Sequence, residues 1–196
     1  MFYLPTPTVI REPVVTWSGL FNDEQIEKLF DLVELQEFKQ AQTGFGNRVS
    51  QDTKVRNSEV SFLEPDEQSH WVYESIAHLI SRVNYDKFGL ELSHIETLQI
   101  TKYGVDQHYH WHMDTVNNGS VTDRKLSMSM LLSDPEKDFD GGEFCIVRNG
   151  DIEKPSIVNL KKGDCVFFQS FFPHTVKPVT RGERISLVAW CVGSYV

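Results

Sequence analysis

The sequence predicts a mainly β protein with supporting α-helices, a sandwich or barrel of many short strands buttressed on one side by helices. Three observations predict it. From about residue 94 onward apolar residues recur with period two, as strands require. Turn-forming dipeptides punctuate those runs at short intervals. Before residue 94, two stretches instead carry apolar residues at helical spacing.

The first helical stretch has Asn22 placed to cap it and Gln25 three residues on, the spacing of a capping box, with Ile26, Leu29, Phe30 and Val33 on one face. The second follows Pro65-Asp66 and carries Val72, Ile76, Leu79, Ile80 and Val83 before a turn near Gly89. Between them, residues Gln42 to Ser61 are polar and contain glycine, a lid-sized segment too long for a plain connector, and part of it reads as a mobile loop. A second loop is expected from Thr115 to Lys125. In the later half, Leu126, Met128, Met130 and Leu132 alternate with Ser127, Ser129 and Leu131; Phe144 and Ile146 alternate with Cys145 and Val147; Ile185, Leu187, Ala189 and Cys191 alternate with Ser186, Val188, Trp190 and Val192. Asn117-Asn118-Gly119, Asn149-Gly150, Lys162-Gly163-Asp164 and Arg181-Gly182 fall between such runs. No internal repeat or low-complexity tract interrupts them.

A chain of 196 residues is expected to form a single domain over residues 1–196, with helical support over about 1–93 and a β core over about 94–196. Nineteen basic against 28 acidic residues give a net charge of −9. That argues against a phosphate-tracking surface, and hence against a nucleic-acid partner. Cys145, Cys165 and Cys191 are an odd number without metal-type pair spacing and read as buried free thiols in a reducing compartment. With no signal-type start and no apolar run long enough for a membrane span, a cytoplasmic, membrane-free protein is expected.

The densest polar cluster is His108-Tyr109-His110-Trp111-His112-Met113-Asp114, followed by an isolated His174. On an extended chain His112 and Asp114 project to one face, with Cα atoms about 6–7 Å apart, so an imidazole and a carboxylate can share one ion. With His174 from a facing strand they make two nitrogens and one carboxylate, the donor set of Fe(II) oxygenases with open coordination positions. Spacing alone leaves His108 and His110 as further candidates and a zinc site as a competitor. Arg184 and Ser186, two apart, point the same way in a strand. A guanidinium with a hydroxyl beside it suits the far acid group of a dicarboxylate. Trp111 is assigned to the core, and Trp17, Trp71, His70, His78 and His94 to packing or surface.

Taken together, His112-x-Asp114, His174, Arg184-x-Ser186 and Trp190, preceded by Tyr103 and Tyr109, resemble the catalytic half of the 2-oxoglutarate- and Fe(II)-dependent prolyl hydroxylases, of the bacterial peptidyl-proline type. The similarity runs from about His94 to Trp190. It is supported by Leu131-Leu132-Ser133-Asp134, Gly141-Gly142-Glu143, the run from Lys162 to Phe168 and the run from Pro178 to Arg184. Arg56-Asn57-Ser58 is similar to the Arg-x-Ser segment on the substrate side of these enzymes. Two departures stand out: Asp106 occupies a slot where the family usually has glycine, and Arg184 stands where collagen-type enzymes have lysine.

The resemblance implies a double-stranded β-helix, or jelly roll, with N-terminal helices packed on the larger sheet. It implies that His112, Asp114 and His174 bind Fe(II), that Arg184 holds the distal carboxylate of 2-oxoglutarate, that Tyr103 donates its hydroxyl to the co-substrate, and that Ser186 and Trp190 line its pocket. Arg56 and Tyr109 become candidate substrate contacts. The implied reaction consumes 2-oxoglutarate and O2, releases succinate and CO2, hydroxylates a proline in a protein or peptide, and uses L-ascorbate as reductant. An oxygenase of the same fold acting on a small molecule or nucleobase, a zinc-dependent hydrolase built on the same His/Asp/His cluster, and a binding module that keeps metal for structure alone are the alternatives. Composition carries no information on oligomeric state.

Overall fold

The computed structural model describes residues 12–43, 51–115 and 122–194. In chain order the elements are β1 (Val14–Trp17), α1 (Asp23–Glu34), β2 (Lys39–Gln40), β3 (Arg56–Asn57), β4 (Glu59–Leu63), α2 (His70–Val83), a π-helical turn (Asn84–Phe88), β5 (His94–Ile95), β6 (Leu98–Tyr103), β7 (His108–His112), β8 (Thr122–Leu131), β9 (Phe139–Gly141), β10 (Phe144–Ile146), β11 (Ser156–Val158), β12 (Cys165–Gln169), β13 (His174–Val176), β14 (Val179–Gly182) and β15 (Arg184–Ser194).

Local chemistry sets the helix ends. The Asn22 side chain accepts from the Gln25 N–H at 2.8 Å, and the Gln25 side chain accepts from the Asn22 N–H at 3.1 Å, closing the expected capping box on α1. Helix α2 starts later than Pro65-Asp66 suggested. The Asp66 carboxylate accepts from the backbone of Gln68 and Ser69, and the Ser69 hydroxyl donates to the Glu64 carbonyl at 2.6 Å, so a tight turn uses these residues first.

The strands form two antiparallel sheets and a small ribbon. The larger sheet runs β1-β12-β8-β15-β6-β4-β2 with β5 added on β15; the smaller runs β11-β10-β13-β7-β3; β14 pairs with β9. Strand parity then divides the molecule into layers. Leu98 and Ile100 of β6, Leu126, Met128 and Met130 of β8, and Leu187 and Ala189 of β15 pack outward against Leu29, Val72 and Ile76 of the helices. Burying each such side chain contributes roughly 1.5–3 kcal/mol. A second apolar cluster, including Phe144, Ile146, Val166, Phe168 and Val176, fills the space between the sheets. This is the double-stranded β-helix with helices on the larger sheet.

The opposite parity of the larger sheet is polar where it should face the second sheet. Gln99, Thr101, Ser127, Ser129, Arg184 and Ser186 are all buried. Side chains of this kind cannot be filled in by apolar packing, and they open a cavity between the sheets.

Several expectations are corrected. The first 93 residues are not helical support alone, because β1 and β4 extend the larger sheet and β3 closes the edge of the smaller one. The stretch Gln42 to Ser61, part of which is expected as a mobile loop, carries β3 and the start of β4 in its second half, while residues 44–50 lie outside the described residues. The loop expected from Thr115 to Lys125 ends at β8, and residues 116–121, with Asn117-Asn118-Gly119, are likewise outside. Trp111 is half-buried rather than core. Cys145, Cys165 and Cys191 are buried and free, as expected, and no helix among the described residues is long and apolar enough to cross a membrane.

Candidate active site

The site is organised by an irregularity in β7. His112 stands opposite His174, yet Tyr109, three residues back, stands opposite Val176, only two residues on. The extra residue is a β-bulge. Residues three apart on a regular strand face opposite ways, but the bulge brings Tyr109 and His112 to the same face, their rings stacked at 3.4 Å and 12°. His110 is left exposed, and the His108 ring lies near the Asp106 and Lys54 carbonyls. Neither joins the cluster that the even spacing of the three histidines left open.

Asp114 follows the end of β7 and is fixed by its backbone N–H donating to the Ser170 carbonyl at 2.8 Å. His174 opens β13, with the rings of Phe168 and Phe144 at 4.6 and 5.6 Å. Donor atoms of His112, Asp114 and His174 all lie within 4.8 Å of one another. The Nε2 atoms of His112 and His174 stand 3.6 and 3.5 Å from the Asp114 carboxylate oxygens. These distances exceed hydrogen-bond lengths and are close to the separation of about 3–3.5 Å between donors that share a metal at about 2.1 Å.

The surroundings prepare each donor. His112 Nδ1 lies 2.7 Å from the His110 carbonyl and His174 Nδ1 2.9 Å from the Phe172 carbonyl, which puts the ring protons on Nδ1 and leaves both Nε2 lone pairs facing inward. Burial, with His174 beside it, pushes the His112 imidazole down to about 3, so it stays neutral and able to coordinate. Burial acts to raise the Asp114 carboxyl, but His174, His112 and the Ser127 hydroxyl, donating at 2.7 Å, hold it below the ordinary carboxylate value. Ser127 is itself tied to Ser170 at 2.9 Å. Two imidazoles presenting Nε2 and a carboxylate on one side of a point suit a divalent metal such as Fe(II).

The metal-ligand candidates open onto a cavity of about 830 Å³. Arg184, only 2% exposed, lines it, with its guanidinium 3.3 Å from Ser186 Oγ. No carboxylate pairs with Arg184 among the described residues, and burial lowers its pKa. Gly142, at φ 62°, makes room for its stem: a Cβ there would stand 2.9 Å from Arg184 Cδ. Arg184 does not sit in a hairpin with Arg181. Glycine 182 ends β14, which pairs with β9, and β15 begins in the larger sheet, so Arg181 faces solvent on Asp140.

Tyr103 and Trp190 also line the cavity. Burial pushes the Tyr103 hydroxyl up, keeping it protonated and able to donate. Asp106, in the slot usually held by glycine, adopts φ 64°, a left-handed conformation that aspartate tolerates, so the turn after Tyr103 survives the departure. The Trp190 indole N–H makes no hydrogen bond; it stands near enough to Asp114 to help lower that carboxyl without reaching bonding geometry. Arg56 is 8% exposed, its Nε donating to Ser58 at 3.0 Å and its guanidinium over the Tyr109 ring at 4.6 Å. Sequence reasoning missed Arg124, paired with Glu96 at 2.6 Å and lying 3.8 Å from the Trp190 ring centre, and it missed Ser127. Ser127 was detectable as the inward member of the β8 alternation; nothing in the sequence marks Arg124.

Residues 98–192 match the model of the 2OG-Fe(II) oxygenase superfamily. A PKHD-type hydroxylase from Crocosphaera subtropica is 26% identical over 180 residues, covering 90% of this chain and 77% of that protein. Another from Prochlorococcus marinus is 34% identical over 103 residues, covering 53% of this chain but 44% of its own length, so the likeness to some relatives reaches under half of them. Among solved structures, a prolyl hydroxylase from Trichoplax adhaerens, in complex with a hypoxia inducible factor oxygen degradation domain peptide fragment, superposes with TM-score 0.73 at 16% identity, covering 91% of this chain and 83% of that one. Fold, site geometry and matched region define an oxygenase of the 2-His-1-carboxylate kind. Over residues 98–192 the chain is similar to the 2OG-Fe(II) oxygenase superfamily, its relatives include PKHD-type hydroxylases, and its fold is that of the prolyl hydroxylases.

Proposed function

We propose that the protein is a 2-oxoglutarate- and O2-dependent Fe(II) dioxygenase that hydroxylates a peptidyl proline, releasing succinate and CO2. The observation that carries this reading is the buried Arg184, without an anionic partner among the described residues, opening on the same cavity as His112, Asp114 and His174. A buried guanidinium needs a counter-charge. The distal carboxylate of 2-oxoglutarate supplies one while the keto-acid end reaches the metal. A zinc hydrolase built on the same three ligands gives Arg184 no task.

In this reading His112, Asp114 and His174 hold the iron. Iron supplies the oxidative chemistry that couples decarboxylation of 2-oxoglutarate to hydroxylation of a C–H bond. Arg184 and Ser186 anchor and orient the co-substrate, and Tyr103 adds a hydroxyl donor. Phe144, Phe168 and Trp190 keep water from the reacting centre. Tyr109, whose ring is already engaged by His112 and Arg56, meets the peptide through its edge and hydroxyl, and Arg56 donates to a peptide carbonyl. The Trichoplax relative, solved with a peptide fragment, supports a peptide as the substrate class. L-ascorbate is the reductant that keeps the iron ferrous, and three free buried cysteines accord with a cytoplasmic setting.

The test is incubation of the iron-loaded protein with 2-oxoglutarate, ascorbate and a library of proline-containing peptides in air. Mass spectrometry should show a gain of one oxygen on a proline residue, lost in His174→Ala. Oxidation confined to non-proline residues or to small molecules would contradict the substrate assignment.

A further inference from the structure

The bulge in β7 does for His112 what sequence spacing alone could not, and it has to be held open. In a regular ladder the residue two before His112 would face the cavity and Tyr109 would turn outward. The inserted residue breaks that alternation. Three contacts lie at the irregularity. The His110 N–H donates to the Val55 carbonyl at 2.9 Å, the His110 carbonyl meets His112 Nδ1 at 2.7 Å, and the Tyr109 carbonyl accepts from Thr175 Oγ1 at 2.7 Å.

The third contact is the one made by a side chain from the neighbouring strand. Thr175 lies between His174 and Val176, the two residues across which the register slips, and is 3% exposed. Its hydroxyl therefore sits on the step itself. That hydroxyl gives the Tyr109 carbonyl, already in register with Val176, a side-chain donor at the step; without it the strand is freer to slide towards a regular ladder. Such a slide rotates His112 away from Asp114 and His174, and it also takes the His110 carbonyl from Nδ1, the contact that leaves Nε2 bare.

We propose that Thr175 is a positioning residue for the metal site: its Oγ1–H···O=C bond to Tyr109 clamps the bulge that turns His112 into the tripod with Asp114 and His174. The proposal rests on reading that tripod as a metal site. Thr175 acts through the bulge on the bond between His112 Nδ1 and the His110 carbonyl, and losing such a ligand's own hydrogen-bond partner costs about 10–100-fold in metal affinity.

The experiment measures Mn(II) binding to the full chain by calorimetry for wild type, Thr175→Val, which keeps shape and removes the hydroxyl, and Thr175→Ser, which keeps the hydroxyl. Thermal unfolding of the metal-free proteins accompanies it, and the Co(II) absorption spectrum reports ligand geometry. Thr175→Val should bind Mn(II) about 10-fold or more weakly and show an altered Co(II) spectrum while still unfolding cooperatively, and Thr175→Ser should stay within about 3-fold of wild type. Equal Mn(II) affinity in wild type and Thr175→Val would overturn the proposal, as would equal losses in Thr175→Val and Thr175→Ser. A Thr175→Val chain that does not fold, with Thr175→Ala behaving likewise, would also overturn it by making the residue a general structural one. Wild type failing to bind Mn(II) would sink the metal-site reading itself, a result distinct from these.

Discussion

Replacing Arg184 with methionine should weaken 2-oxoglutarate binding while leaving the metal-free protein as stable as before, or more so. The guanidinium is 2% exposed, its hydrogen-bond partner is a neutral hydroxyl at 3.3 Å, and no carboxylate answers its charge among the described residues. In the absence of co-substrate it is therefore a buried charge with little compensation. An apolar side chain of similar volume at such a site is neutral or stabilising by about 1–4 kcal/mol. With 2-oxoglutarate bound, the same guanidinium holds a carboxylate in a desolvated cavity. Truncating one partner of such a pair costs about 2–5 kcal/mol, or about 30-fold to 4,000-fold in dissociation constant. The assay is anaerobic calorimetry of 2-oxoglutarate with Mn(II) in the metal site, alongside urea unfolding of the metal-free variant. Opposite movements, affinity down and stability level or up, mark a ligand-binding charge. Unchanged affinity, or a metal-free protein destabilised by several kcal/mol, would refute the reasoning, because Arg184 would then be serving the fold.

Gly142→Ala should raise the 2-oxoglutarate dissociation constant several-fold without touching the metal ligands, since its Cβ would meet Arg184 Cδ at 2.9 Å and Val179 Cγ2 at 3.0 Å at φ 62°; the same calorimetry checks it, and unaltered binding would show that the arginine stem is free to shift. Ser127→Ala removes the donor 2.7 Å from Asp114 Oδ2 and should weaken Mn(II) binding by about 10–100-fold, measured by calorimetry; full affinity would mean that the backbone bond from Asp114 N–H to the Ser170 carbonyl suffices to place the carboxylate. Burial pushes the Cys165 and Cys191 thiols up to about 12 from 9.0. A raised folded-state value stabilises below the unfolded one, so this contribution is whole below pH 9 and lost as pH climbs towards 12. Urea unfolding should show wild type losing stability relative to Cys165→Val over that window, and parallel curves would contradict it. At pH 8 a disulfide-exchange reagent should leave both thiols unmodified until the chain unfolds.

The sheets were legible because their alternation serves two different interiors. Leu126, Met128 and Met130 face helices and Ser127 and Ser129 face the cavity, so period two appears in the composition of β8 itself. The capping box was legible because it is local. The start of α2 was not, because the turn at Asp66 and Ser69 competes for the same residues. At the site, His112, Asp114 and His174 stood out by residue type, but their convergence depends on a bulge that no residue of β7 announces. That bulge is also why His110, identical in spacing from His112, ends exposed. Arg56 looked like a loop residue because the strand that buries it is two residues long and pairs with a segment far along the chain, Tyr109 and His108.

The most direct measurement is succinate formation from 2-oxoglutarate by the purified protein, with Fe(II) and O2 each supplied or withheld, for wild type, His174→Ala and Arg184→Met. The account requires succinate from wild type only when both iron and oxygen are present, none from His174→Ala, and formation by Arg184→Met that recovers as 2-oxoglutarate is raised. Succinate that persists without oxygen or without His174, or none from wild type under any of these conditions, would contradict it.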